Sequence, residues 1–137
     1  MLTADLIARV KLAGDRPRPG QVFVDDCAGT GAFLRAAAQV LRERGIDPQA
    51  MHWYAVDIDP VAVAALAVNA ALWELGPHVV LGRADILTEP EWPARAHAEQ
   101  ARALRLHALR ITAAQVLAAD YMLNSDEPPD RGKAMRL

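Results

Sequence analysis

Three acidic residues and a pair of glycines carry most of the chemistry this sequence offers. Asp25 closes the apolar run Gln21-Val22-Phe23-Val24 and opens Asp26-Cys27-Ala28-Gly29-Thr30-Gly31. Gly29 and Gly31 let a backbone come close to a ligand, and a helix starting at Ala32 would present free N–H groups at the same place. Asp57 ends a second apolar run, Met51 to Val56, and Asp85 follows a third, His78 to Leu81. A carboxylate at the carboxyl end of a second parallel strand can accept hydrogen bonds from both hydroxyls of a ribose. Ile58 beside it offers apolar surface to a flat base. Asp85 can accept from an exocyclic amine, and Ile86 can cover the other face of the base. The chemistry implied is nucleoside binding. The glycine spacing does not match Gly-x-Gly-x-x-Gly, whose third position would be Leu34, so a pyrophosphate cradle is disfavoured. Read singly, each feature has a plainer meaning: a tight turn at the glycines, a helix N-cap at Asp57 or Asp59, a solvated turn at Asp85. Asp59 fits the cap before Pro60 better, which leaves Asp57 for a ligand.

These residues need elements to position them. Leu2 to Leu12 reads as a helix with Thr3 as a plausible N-cap, and Gly14 to Gly20 as a turn. Gln21–Asp25 reads as a strand, Ala32 to Arg44 as a helix stopped at Gly45, and Met51 to Val56 as a second strand. A helix from Pro60 to about Leu75 and a third strand, His78 to Leu81, complete two consecutive βαβ units. The fold class is α/β, a partial Rossmann-like parallel sheet of about three strands with flanking helices. Pro90 and Pro93 break the chain again. Ala94 to Leu123 lacks Gly and Pro and reads as one helix of about 45 Å at 1.5 Å per residue. The expected divisions are residues 1–93 for the nucleotide fold, 94–123 for a helix serving as edge cover or dimerisation element, and 124–137 for a flexible tail.

Composition sets the outer bounds. A chain of 137 residues builds one core. A hydrophobic share of 53% excludes wholesale disorder. A net charge of −2 gives no sign of a basic surface for nucleic acid, so DNA contact would need a local patch or a partner. Cys27 is the single cysteine, which excludes an internal disulfide, and it reads as a small buried side chain. The four His have no metal-ligand spacing and read as surface or helix residues; no metal is expected. No signal peptide and no membrane-span run is evident, so a cytoplasmic protein is the default.

Taken together, the motifs resemble the class I S-adenosylmethionine-dependent methyltransferases, and among them the N6-adenine DNA methylases of restriction-modification systems. That family's Asp-Pro-Ala-Cys-Gly-Thr-Gly-Gly-Phe-Leu is similar to Asp25-Asp26-Cys27-Ala28-Gly29-Thr30-Gly31-Ala32-Phe33-Leu34. Its Gly-x-Glu-Ile-Asp-Pro looks like Ala55-Val56-Asp57-Ile58-Asp59-Pro60, its helical Asn like Asn69, and its Gly-Asp-x-Leu like Arg83-Ala84-Asp85-Ile86-Leu87. The resemblance covers about Leu2 to Leu87 and stops after the third strand. It implies S-adenosyl-L-methionine as cofactor. Thr3 would help hold the methionine carboxylate, although Ala4 stands where the family has Pro. Asp25 would order the loop and reach the methionine amino group, and Ala28, Gly29 and Gly31 would line the methionine through their backbones. Phe33, Asp57, Ile58, Asp85 and Ile86 complete the implied cofactor site.

The family's catalytic Asn/Asp-Pro-Pro-Tyr/Phe has no counterpart shortly after Asp85. Its Asn or Asp accepts from the target amine and its ring stacks on the flipped base. The only Pro-Pro lies in Asp126-Glu127-Pro128-Pro129-Asp130, where Asp130 cannot stack, and reads as solvated tail. No catalytic residue is therefore assigned. Two readings follow: a cofactor-binding module inactive by itself, or the cofactor half of a split DNA methyltransferase completed by a partner chain. A small-molecule methyltransferase with an atypical acceptor pocket is a third. With that family's strand order, 3-2-1, the first strand, Gln21–Asp25, would lie at an edge, so a homodimer or a partner chain is expected unless the long helix folds back to cover that edge. On the long helix, Leu104, Ala108, Ile111, Ala118 and Met122 form one apolar stripe, and Leu106, Leu109, Val116 and Leu117 another.

Overall fold

The computed structural model describes residues 2–14 and 16–124. The elements run α1 (Leu2–Lys11), β1 (Val22–Asp25), α2 (Ala32–Glu43), a short 3-10 turn (Pro48–Ala50), β2 (His52–Asp57), α3 (Pro60–Leu72), β3 (Val79–Arg83) and α4 (Trp92–Asn124). The sheet is parallel, in the order β1-β2-β3, with Val24 level with Tyr54 and Tyr54 level with Val80. The expected partial Rossmann-like fold and edge position of β1 are both present. Thr3 is the second residue of α1 and not its cap, because the helix already includes Leu2. Pro93 does not break the chain: α4 begins at Trp92, and Pro is tolerated in a first turn, where its missing N–H has no helical partner.

β2 is the central strand, and burial on both faces explains its composition. Trp53, Ala55 and Val56 are fully buried. On one face Trp53 stacks on Phe23 with ring centroids 4.8 Å apart, and its Nε1–H donates to Pro48 O at 3.0 Å. Leu34, Leu41 and Leu66 from α2 and α3 close that side of the core. On the other face Val56, Val80 and Ala84 pack beneath Trp92 and Ala96 of the first turns of α4. Val22 and Val24 point to this second face and stay 53% and 51% exposed. The His52 N–H donates to Gln21 O, so Gln21, Phe23 and Asp25 turn their backbone groups toward β2. Those of Val22 and Val24 face outward. His52 lies on β2, half-buried, and stacks on His78 at 4.6 Å.

The chain divides into two compact units, one through Gln100 and one from Ala101. In the second, residues 102–123 are exposed along the whole helix. Of the expected tail at 124–137, Asn124 is the last residue of α4, and the rest, with its Pro-Pro pair, lies outside the described residues. Among the described residues no helix is long and apolar enough to cross a membrane.

Candidate cofactor site

The carboxyl ends of the three strands converge, as the order of a parallel sheet requires. The loop after β1 is tied down at several points. Asp25 accepts from the Cys27 N–H at 3.3 Å, and the Gly31 N–H donates to Ala28 O at 2.8 Å. The Ala28 N–H donates across to Val56 O at 3.0 Å, joining the loop to β2. Asn69 of α3 donates from Nδ2 to Thr30 O at 3.0 Å and holds the loop from the other side. Cys27 is exposed, which corrects the expectation of a buried thiol; the loop turns its side chain outward while its N–H serves Asp25.

The two glycines do different work. Both have positive φ, +53° at Gly29 and +95° at Gly31. A Cβ on Gly29 would meet no atom within 4 Å, so its backbone is open to a ligand. A Cβ on Gly31 would lie 2.5 Å from Leu66 Cδ1 and 2.9 Å from Trp73 Cζ3. Gly31 is buried and serves the packing of α3 beneath the loop.

Asp57 closes the site from β2. Its Oδ2 accepts from the Gly29 N–H at 2.7 Å and its Oδ1 from the Asp59 N–H at 2.9 Å. Those backbone donors hold its carboxyl below the usual carboxylate range. Asp59 accepts from the Val61 N–H at 2.8 Å and caps α3, as its position before Pro60 suggests. Asp57 is thus engaged by backbone donors on both oxygens, yet a carboxylate has about four lone-pair sites, so acceptor capacity remains. Asp25 behaves oppositely. Half-burial pushes its pKa up, against the Cys27 hydrogen bond and the Lys11 ammonium, and with the charges of Asp26 and Asp57. Lys11 Nζ also sits 5.6 Å from the ring centroid of Phe33, a half-buried residue of the first turn of α2. Thr3 is exposed; its neighbours Ala4 and Asp5 line a small pocket with Ala32 and Arg35.

Ile58 and Asp85 share one open cleft of about 560 Å³ with Arg83, Ala84, Glu89, Arg95 and Glu99. Ile58 is 62% exposed, while Ile86 is half-buried against the Val56–Trp92 cluster. Asp85 Oδ1 accepts from the Leu87 N–H at 3.0 Å, and the Asp85 N–H donates to Glu89 Oε1 at 3.2 Å. Arg95 pairs with Glu89 and donates to Arg83 O, which pins the loop after β3 to α4. This pair holds the half-buried Glu89 carboxyl below its ordinary value. No local pattern in the sequence marks this ionic wall. Its members are ordinary helix and turn residues whose meeting depends on α4 crossing β3.

An open glycine backbone, a charged carboxylate with spare lone pairs and an exposed isoleucine suit a nucleoside with vicinal hydroxyls. The residues present therefore fit the nucleoside part of S-adenosyl-L-methionine. Among the described residues no group of three or more His, Cys, Asp or Glu could hold a metal ion.

No protein-family model and no curated protein matches the chain. Solved structures do. The methyltransferase subunit of a type I restriction-modification system from Streptococcus thermophilus superposes with a TM-score of 0.55 at 23% identity, over 63% of this chain and 18% of that one. A coclaurine N-methyltransferase bound to N-methylheliamine and SAH gives 0.48 at 19% identity, over 62% and 23%. The [4+2]-cyclase SpnF gives 0.46 at 21% identity, over 61% and 28%. The chain spans less than a third of the length of each of these. At such identities the likeness is one of fold, and the Streptococcus thermophilus subunit carries it: the chain has a partial Rossmann-like methyltransferase fold of three parallel strands.

Proposed function

We propose that the chain binds S-adenosyl-L-methionine across the carboxyl ends of β1, β2 and β3. The observation that carries this reading is the meeting of the Asp57 carboxylate with the open Gly29 backbone at 2.7 Å, beside the exposed Ile58. Asp57 takes the ribose hydroxyls, Ile58 and Ile86 flank the adenine, and Asp85 accepts from its amine. Asp25 serves the methionine amino group, with Ala28, Gly29, Gly31, Phe33 and Thr3 around the methionine. When bound, the cofactor would supply an electrophilic methyl group. Calorimetry on the purified chain tests this: S-adenosylmethionine and S-adenosylhomocysteine are expected to bind and NAD is not, because Leu34 stands where a pyrophosphate loop needs its third glycine. No heat with either methionine nucleoside at millimolar concentration would refute the reading.

The methyl acceptor is the second half of the proposal. The chain resembles N6-adenine DNA methylases but has no base-stacking aromatic in an Asn/Asp-Pro-Pro-Tyr/Phe setting. We therefore expect no transfer of labelled methyl to duplex or single-stranded DNA by the isolated chain. Labelled DNA from that assay would count against a cofactor-only module. The second reading, a split DNA methyltransferase completed by a partner chain in the cytoplasm, is favoured by the edge of β1. The Val22 and Val24 side chains are half exposed there and their backbone groups face outward. A strand from a partner would pair along that edge. DNA would then be met only through the partner.

A further inference from the structure

The second unit of the chain carries a surface that the cofactor site does not explain. Residues 102–123 are exposed, among them Leu106, Leu109 and Val116 at 49%, 66% and 63%. Large apolar side chains grouped on one exposed helix mark an association surface. At 3.6 residues per turn, Arg102, Leu106, Leu109, Ala113, Val116 and Asp120 fall on one stripe, spaced alternately by four and three residues. That alternation is the seam of a packed helix pair.

The stripe is complementary to itself when reversed. Set a second copy antiparallel, with the two-fold axis beside Ile111. Leu106 then faces Val116 of the second copy, Leu109 faces its Ala113, and Arg102 faces its Asp120. Symmetry repeats each layer, so the seam has apolar layers at the centre and an opposite-charge pair at both ends. Asp120 already interacts within its own chain, and a carboxylate accepts more than one donor. A surface evolved for an unrelated chain would need no such internal match. One term opposes the pairing: Arg110 lies near the axis and approaches its own copy. Exposed like charges repel weakly, and salt screens them. The other stripe, through Leu104 and Ile111, places Gln115 in its seam and carries no opposite-charge ends.

We propose that the chain self-associates through the Leu106–Leu109–Val116 stripe as an antiparallel helix pair. This rests on the second unit and not on the cofactor reading. Light scattering on the full chain at micromolar concentration is expected to give twice the 14.8 kDa chain mass. Leu106→Asp and Leu109→Asp should give a monomer of unchanged helix content by circular dichroism, while Leu104→Asp should leave the dimer. Arg102→Glu and Asp120→Arg should each raise the dissociation constant severalfold, and the double variant should restore it, which a parallel pair would not do. A monomeric wild-type chain would overturn the proposal. So would a dimer indifferent to Leu106→Asp and Leu109→Asp, or a charge swap that fails to restore association.

Discussion

Gly31→Ala is expected to be among the most destabilising single substitutions in the chain, and Gly29→Ala, two residues away, among the milder ones in its loop. A methyl at Gly31 would lie 2.5 Å from Leu66 Cδ1 and 2.9 Å from the Trp73 ring. Leu66 is fully buried and packed among α2 and α3, so it has nowhere to move. Overpacking of this kind costs about 1–3 kcal/mol. The φ of +95° adds backbone strain for an L side chain, about 1–2 kcal/mol or more. The sum, roughly 2–5 kcal/mol, is a large part of the 5–15 kcal/mol that holds a small domain together. At Gly29 only the backbone term applies, because the space is open. Urea melts should separate the two variants clearly. Equal midpoints for Gly31→Ala and wild type would show that α3 does not pack against the loop as described. Gly29→Ala, by contrast, should lower the midpoint only by the backbone cost and lose cofactor binding, since its methyl enters the open side of the loop.

How far the sequence carries depends on the kind of signal. The parallel strands and their order were legible because β1, β2 and β3 are short apolar runs separated by helices with Pro or Gly at their ends, and a βαβ repeat has one common solution. The cap at Asp59 was legible because Pro60 follows it. The roles of the two glycines were not separable, since both sit in one loop and both have positive φ. Only the approach of Leu66 and Trp73, from another helix, tells the packing glycine from the open one. The start of α4 was misplaced because a proline read as a break is here a first-turn residue. The exposure of Cys27 and the Arg95–Glu89 wall depend on loop path and helix crossing, which no local pattern encodes.

Asp57→Ala is expected to weaken S-adenosylmethionine binding by about 1.5–3 kcal/mol, the range for hydrogen bonds to a charged group, or roughly ten- to a hundredfold. Asp57→Asn should do nearly as badly. The carboxylate accepts from the Gly29 and Asp59 N–H groups on separate oxygens, and an amide can replace only one of those acceptors. Its NH₂ would face the other donor. The pH dependence separates Asp57 from Asp25. The folded pKa of Asp57 is depressed, so its contribution to stability is present above the unfolded carboxylate pKa and is lost as pH falls through the lower folded value. Asp25 is raised, so its ionised form costs stability at neutral pH, and as pH falls protonation begins to relieve that cost above the group's ordinary value. On mild acidification Asp25 therefore takes its proton first, while Asp57 stays charged. Cofactor affinity should weaken in that first step through the methionine amino contact, with the fold intact. Asp25→Asn should remove the step without removing the ribose contact. Calorimetry from neutral to mildly acidic pH checks both statements. An Asp25→Asn chain whose affinity falls over the same pH window as wild type would exclude Asp25 as the titrating group.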